Sequence, residues 1–255
     1  MKSFLVRIFG FPATLIHGDT LVLDRWLWLN RNLPKTSRDT KRLLDVGCGT
    51  GAFTIGAARR GYRALGLSWD ERNQRVARQR AAICQAPSAT FEVQDVRHLD
   101  QRPDLQNTFD IVVCCENIEH ILNDWKLMVD LSRCLKPKGT LLLTTPNFNC
   151  RPITKSDDGP FSQIEDGGHV RRGYTPEGLR QLCASAGLKV SEIGYCSGFI
   201  SQKTTALMRT ASKVHFLFAW VLVLPLRVLP PLCDTWISKI VRWPGFCITL
   251  IATKD

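Results

Sequence analysis

Short apolar runs alternate with stretches of helical periodicity from residue 43 onward, and that alternation predicts an α/β fold. Strands are expected at Leu43–Val46, Arg63–Ser68, Thr90–Gln94, Phe109–Cys115, Thr140–Thr145, Leu188–Tyr195 and Phe246–Lys254. Leu43–Val46 reads as a parallel strand covered on both faces. A helix opens with Ala52, Phe53, Ile55, Ala57 and Ala58, and a second runs from Trp69-Asp70-Glu71 to about Cys84. A third, Leu127–Leu135, is broken by Lys136-Pro137-Lys138-Gly139. A fourth has Thr175 as cap, Pro176 at its first position and Gly187 at its end, the residue types those positions favour. Ahead of the sheet, Leu21, Leu23, Trp26, Leu27 and Leu29 mark one helix face, expected to pack over the sheet's ligand edge. Its tryptophans read as core and Asp19 as a cap; in the alternative, His17, Asp19 and Trp26 face a ligand.

The segment Asp45-Val46-Gly47-Cys48-Gly49-Thr50-Gly51 joins the first strand to the first helix. Glycines permit close backbone approach to a ligand, and an acid ahead of the turn suits a cationic ligand better than a phosphate. Asp95 ends the third strand at the edge where open α/β sheets bind ligands. Phe109-Asp110-Ile111-Val112-Val113-Cys114-Cys115 leads into Glu116-Asn117-Ile118-Glu119-His120, and Thr140–Thr145 ends in Pro146-Asn147.

Taken in order over residues 42–147, these landmarks resemble the class I S-adenosyl-L-methionine (SAM) dependent methyltransferases of the type 11/12-like group. The resemblance implies a seven-stranded Rossmann-like sheet with helices on both faces, the last strand antiparallel, and SAM as cofactor. It implies that Asp45, Gly47, Cys48, Gly49 and Gly51 pass the methionine end of SAM, with Glu116 nearby. An acid in that family ends the second strand and holds the ribose. Here Ser68 stands there, followed by Trp69 and Asp70, so Ser68 makes one bond, Asp70 reaches across, or Asp70 only caps its helix. Asp95 with Val96 occupies the place that receives the adenine amino group.

Methyl transfer from a sulfonium is an in-line displacement that mainly requires alignment and exclusion of water. A hydroxyl acceptor also has to lose a proton; His120 is the first candidate for that task and His169 the second, while packing within the Glu-His-Ile turn is the alternative for His120. Glu116 and Glu119 can orient that imidazole or bind a metal as a pair, but their spacing does not specify a metal site. The polar stretch 149–168 reads as a long loop above the ligand edge, and His169, Arg171, Arg172 and Tyr174 after it are expected to meet an acceptor or an anionic headgroup.

Composition adds two hints. The 255-residue chain carries a net charge of +11, which predicts attraction to anionic surfaces without choosing among lipid, nucleic acid and phosphorylated substrates. Its 10 cysteines include no C-x-x-C pair and read as small core residues in a reducing, cytoplasmic setting. Residues 203–245 form an apolar helical insertion before the last strand (246–255), after N-terminal lid helices (1–41) and a core (42–202). The run Val214–Leu226 is cut short as a membrane span by Pro225, Arg227 and Pro230-Pro231. With basic and tryptophan neighbours over 203–243, it is expected to touch an anionic membrane surface or a lipophilic acceptor; a buried hairpin or dimer contact is the alternative. The leading expectation is O-methylation of a small-molecule, lipid, quinone-type or lipid-linked sugar acceptor. The alternatives are an RNA or protein methyltransferase and a non-catalytic SAM-binding protein; nucleic acid is disfavoured because no asparagine-proline-proline-aromatic motif follows the fourth strand. Oligomeric state is left open.

Overall fold

The computed structural model describes residues 3–16, 20–37 and 40–255. Its elements run α1 (Phe4–Phe9), α2 (Pro12–Ile16), α3 (Leu21–Asn32), β1 (Lys41–Val46), α4 (Ala52–Ala58), β2 (Tyr62–Ser68), α5 (Glu71–Ile83), β3 (Ala89–Val93), β4 (Phe109–Cys115), α6 (Asp124–Cys134), β5 (Leu135–Pro146), α7 (Pro176–Ser185) and β6 (Leu188–Cys196). The chain then forms α8 (Phe199–Ser212), α9 (Phe216–Val223), α10 (Leu229–Ile240) and β7 (Cys247–Lys254), with short 3-10 turns at Val96–Gln101, Ile118–His120 and Lys155–Asp158 among others. The seven strands make one sheet in the order β3-β2-β1-β4-β5-β7-β6, with β7 antiparallel to both neighbours. That order reverses between β1 and β4, which places a ligand crevice at their carboxyl ends.

Strand side chains alternate between two helical layers. Leu44, Val46, Val112, Cys114, Leu141 and Leu143 pack on the side that also holds Leu127, Leu131 and Leu179 of α6 and α7. Leu43, Ile111, Val113 and Leu142 face Trp26, Trp28, Leu29 and Leu33. So α3 lies against a face of the sheet instead of across its ligand edge: a helix with two large indoles buries more area flat on a strand surface than over an open rim. Trp26 is core, packed edge-on to Phe11 and stacked with Phe53. His17 and Asp19 lie outside the described residues.

Lys136–Gly139 ends α6 as expected but does not form a separate turn, because β5 already begins at Leu135. Leu135 pairs with Phe109, the register shifts, and Thr140 resumes opposite Ile111. The Lys136 ammonium anchors the bulge on Asp110 at 2.9 Å. All ten cysteines are free thiols.

The apolar insertion is a three-helix cap. Asp234 of α10 accepts from the Gly198 and Ile200 amides at 2.8 and 2.7 Å, capping α8 from another element. Trp220 is buried and donates its indole N–H to the Ile16 carbonyl at 2.9 Å, and the Arg227 guanidinium bonds the same oxygen. The other side of α9 is open, with Phe218 58% and Val221 63% exposed. One face of this segment is therefore buried against the N-terminal helices and the other is exposed. No helix among the described residues is long and apolar enough to cross a membrane.

Gly56 sits under Trp26, and a Cβ there would lie 2.2 Å from the indole. Gly56→Ala is therefore expected to cost about 1–3 kcal/mol by overpacking, read as a lower denaturant midpoint at unchanged slope, and to be relieved when combined with Trp26→Leu.

Candidate active site

At the switch point the loops after β1 and β4 almost touch. A Cβ on Gly47, whose φ is +81°, would lie 2.6 Å from the Asn117 side chain, so only glycine lets the two loops close. The Gly47 and Cys48 amides both bond the Leu67 carbonyl, at 3.0 and 2.9 Å, which fixes the turn against β2. Gly49 (φ +52°) differs, because a Cβ there would meet nothing within 4 Å. Asp45 is buried beneath the loop and accepts from the Thr54 hydroxyl at 2.6 Å. Burial pushes its carboxyl up to about 6, against the Thr54 hydrogen bonds. Cys48 is half-buried, its Sγ 3.5 Å from the Gln74 amide nitrogen.

Along the same edge Ser68 is buried and Trp69 is 65% exposed. Asp70 caps α5, accepting from the Arg72 and Asn73 amides at 2.7 and 3.3 Å, so of its two readings the cap is observed. Asp95 caps the following 3-10 turn and chelates the Arg97 guanidinium. The arginine holds its carboxyl below the usual range and also reaches Glu165 at 2.8 Å. Val96 is core.

Beyond β4 four acidic and basic groups, Glu116, Glu119, His120 and His169, gather at the edge. Glu116, at φ +49°, accepts from Arg25 of α3 at 2.9 Å and from the Thr144 hydroxyl at 3.0 Å. Glu119 is fully buried; one oxygen accepts from Thr145 at 3.2 Å, while the other has no hydrogen-bond partner. Burial first, and Glu116 second, push its carboxyl well above the ordinary carboxylate value. The His120 and His169 rings meet edge to face, 4.6 Å between centroids. Desolvation and His120 lower the His169 pKa, favouring a neutral imidazole. The structure thus brings Glu116, His120 and His169 to one place beside the glycine loop, while Ser68, Asp70 and Asp95 line the neighbouring strand ends.

Residues 24–193 match the family described as Methyltransferase domain. The chain belongs to that family. It is a class I SAM-dependent methyltransferase, and SAM is its cofactor. A similar protein is the ubiquinone biosynthesis O-methyltransferase of Neisseria meningitidis serogroup A, 28% identical over 184 residues that cover 70% of this chain and 76% of the relative. Among solved structures, a phosphoethanolamine N-methyltransferase of Haemonchus contortus superposes with a TM-score of 0.63 at 19% identity, covering all of this chain and 60% of that one. The 4+2 cyclase SpnF superposes with a TM-score of 0.62 at 19% identity, over 92% of this chain and 82% of that one. Likeness at that level shows the fold alone.

Two expectations about the methyltransferase's acceptor side change. Arg171 and Tyr174 do not face an open site: Arg171 pairs with Asp124 and bonds the Ile121 and Leu122 carbonyls, and the Tyr174 hydroxyl bonds Asp124 at 2.8 Å. Arg172 pairs with Asp158. These groups fasten the loop to the sheet edge, because their charges find partners within the chain. Sequence reasoning also missed Arg25, Thr144 and Thr145, whose roles arise from strand pairing and helix packing with no local motif. It missed a cleft of about 680 Å³, lined by Trp28, Arg31, Tyr195, Asp234, Arg242 and Trp243 among others. Trp243 is flanked there by Arg151 at 4.3 Å and Lys203 at 4.8 Å.

Asp45 supplies a pH test. Its folded pKa of about 6 lies above the ordinary 3.8, so the stabilisation from keeping its proton is complete below about pH 4 and lost as pH rises through about 6. In the ligand-free methyltransferase, Asp45→Asn is therefore expected to gain stability relative to the parent across that interval, by up to about 3 kcal/mol. Denaturant titrations at several pH values check this; a difference constant with pH would contradict it.

Proposed function

We propose that this methyltransferase moves the methyl group of SAM to a hydroxyl oxygen of a lipophilic, quinone-precursor-type aromatic acceptor. The observation that carries this reading is its likeness to the O-methyltransferase of ubiquinone biosynthesis. The two imidazoles beside the switch point support it, since oxygen transfer needs a place for the hydroxyl proton. The glycine loop would hold SAM, with Asp45 on the side of its ammonium group and the open face of Gly49 leaving room for it. Gly47, Cys48 and Gly51 shape the turn, and Glu116 sits near the sulfonium. Ser68, Trp69 and Asp70 flank the ribose. Asp95 and Val96 take the adenine, with Arg97 keeping Glu165 as its second partner. SAM, when bound, would supply an electrophilic methyl group to the acceptor's oxygen, and His120, with His169 at its edge, would receive the hydroxyl proton. The large cleft between α3, β6 and α10 has the volume of a small-molecule site and an aromatic, basic lining suited to the acceptor's body.

Purified protein given SAM and a prenylated dihydroxybenzoate is expected to yield a product heavier by one methyl-for-hydrogen exchange. Gly49→Val should abolish both that product and calorimetric SAM binding in a protein that still folds, with a lowered thermal transition because φ at that position is +52°. Methylated nucleosides in RNA digests, with phenolic lipids untouched, would replace the acceptor class.

We infer further that the insertion brings the enzyme to anionic membrane surfaces, where such acceptors reside. Exposed Phe218, Val221, Trp236 and Ile240 support this, as do Lys203, Lys239 and Arg242 along the same segment. Attraction of about 1 kcal/mol per basic residue makes attachment salt-sensitive. Co-flotation with acidic liposomes should fall as salt rises and should fall in Phe218→Ser/Val221→Ser at unchanged SAM affinity. Trp220→Ser should instead lower thermal stability, because that indole is buried. Flotation that ignores both salt and the exposed-face variant would point to a soluble acceptor.

A further inference from the structure

We propose that Glu119, His120 and His169 hold a divalent cation of the zinc and cobalt class at the acceptor end of the active site. Each offers one ligand atom, and the three atoms lie within 4.8 Å of one another. Two observations beyond their proximity point to a cation.

The first is the free oxygen of Glu119. That side chain is fully buried, and its Oε1 has no hydrogen-bond partner. It faces the His120 Nε2 at 3.9 Å, too far for a hydrogen bond. A buried carboxylate oxygen without a donor is costly, and a cation between it and the imidazoles satisfies it.

The second is the tautomer that the backbone imposes on His120. Its Nδ1 lies 3.0 Å from the Gly168 carbonyl oxygen. A carbonyl only accepts, so Nδ1 carries the proton and Nε2 presents a lone pair toward Glu119. A ring N–H donated to a backbone carbonyl, with the other nitrogen turned to the metal, is how ligating histidines are held. The Val170 amide bonds the Glu119 carbonyl at 3.0 Å, so the loop carrying His169 is pinned to the turn carrying the other two. Two imidazoles and one carboxylate form a donor set used by catalytic zinc with a position left for water or substrate. Tetrahedral coordination needs ligand atoms about 3.3 Å apart, and rotation of the half-buried His169 side chain supplies the contraction.

This inference rests on the reading of the chain as a hydroxyl-directed methyltransferase and deepens it. The open position selects an acceptor with two adjacent oxygens, which chelates the cation through both. The bound hydroxyl then loses its proton to solvent at lower pH than a free one. Its oxygen forms the bond to the methyl carbon as the carbon–sulfur pair returns to sulfur, leaving S-adenosylhomocysteine. With the cation bound the imidazoles act in that step as its ligands, and the proton-accepting role of His120 belongs to the metal-free enzyme alone.

The test is an optical titration of the chelator-stripped, full-length protein with Co2+. One equivalent is expected to develop a saturable visible absorption that Zn2+ displaces. Glu119→Gln and His169→Ala should each weaken Co2+ binding at least about tenfold. The second variant changes a half-buried loop residue, so it reports on the site if the buried substitution impairs folding. Absence of a saturable spectral change in the parent, or equal Co2+ affinity in parent and His169→Ala, would overturn the proposal. SAM affinity is read separately, by calorimetry on the metal-free protein, so failure of the methyltransferase reading and failure of the cation site register in different measurements.

Discussion

The approach of Gly47 to Asn117 is the contact on which the active site depends. The 2.6 Å that a Cβ would leave is shorter than packed atoms tolerate, so the chain reverses after β1 only because that residue has no side chain. With the two loops closed, Asp45 is sealed beneath the glycine turn and the segment after β4 is forced through the positive φ of Glu116. That twist delivers Glu116 to Arg25 and Thr144, and Glu119 and His120 to the loop around Gly168. A looser junction would leave the same residues on the chain without assembling them.

Charge is partitioned between the interior of the site and the exterior. The protein as a whole carries +11, yet Asp45, Glu116 and Glu119 gather at the carboxyl edge, where desolvation raises the pKa of the first and third. Only Glu116 has a cationic side chain as a direct partner among these three. Such an edge is electrostatically unsatisfied until something positive arrives, which suits a sulfonium cofactor.

Much of this arrangement was legible in the sequence because it is local. The glycine turn, the Thr175 cap and the strand ending at Cys115 are each set by neighbours within a few residues, and the structure has them at the expected positions; of the two readings open for Asp70, the cap is observed. The order of these landmarks was enough to imply the sheet with its antiparallel last strand. What escaped depends on pairs distant in sequence. Thr144 stands beside Cys115 only through strand register, and Arg25 meets Glu116 only because α3 lies flat on the sheet. Arg171 and Tyr174 carry the residue types of a binding site but find Asp124 within the chain. The apolar insertion was ambiguous for a similar reason: its composition does not say that Trp220 turns inward to Ile16 while Phe218 turns out.

The position of β7 has a consequence for how the molecule is made. This strand lies between β5 and β6 and pairs with both along nearly its whole length, yet it is the last strand of the sheet to leave the ribosome. Synthesis proceeds at about 5–20 residues per second, so for some seconds the nascent chain holds β5 with a bare edge and β6 with no neighbour at all. Bare edges recruit foreign strands. The polypeptide therefore passes through an interval of exposure that ends only when residues 247–254 slot into the gap.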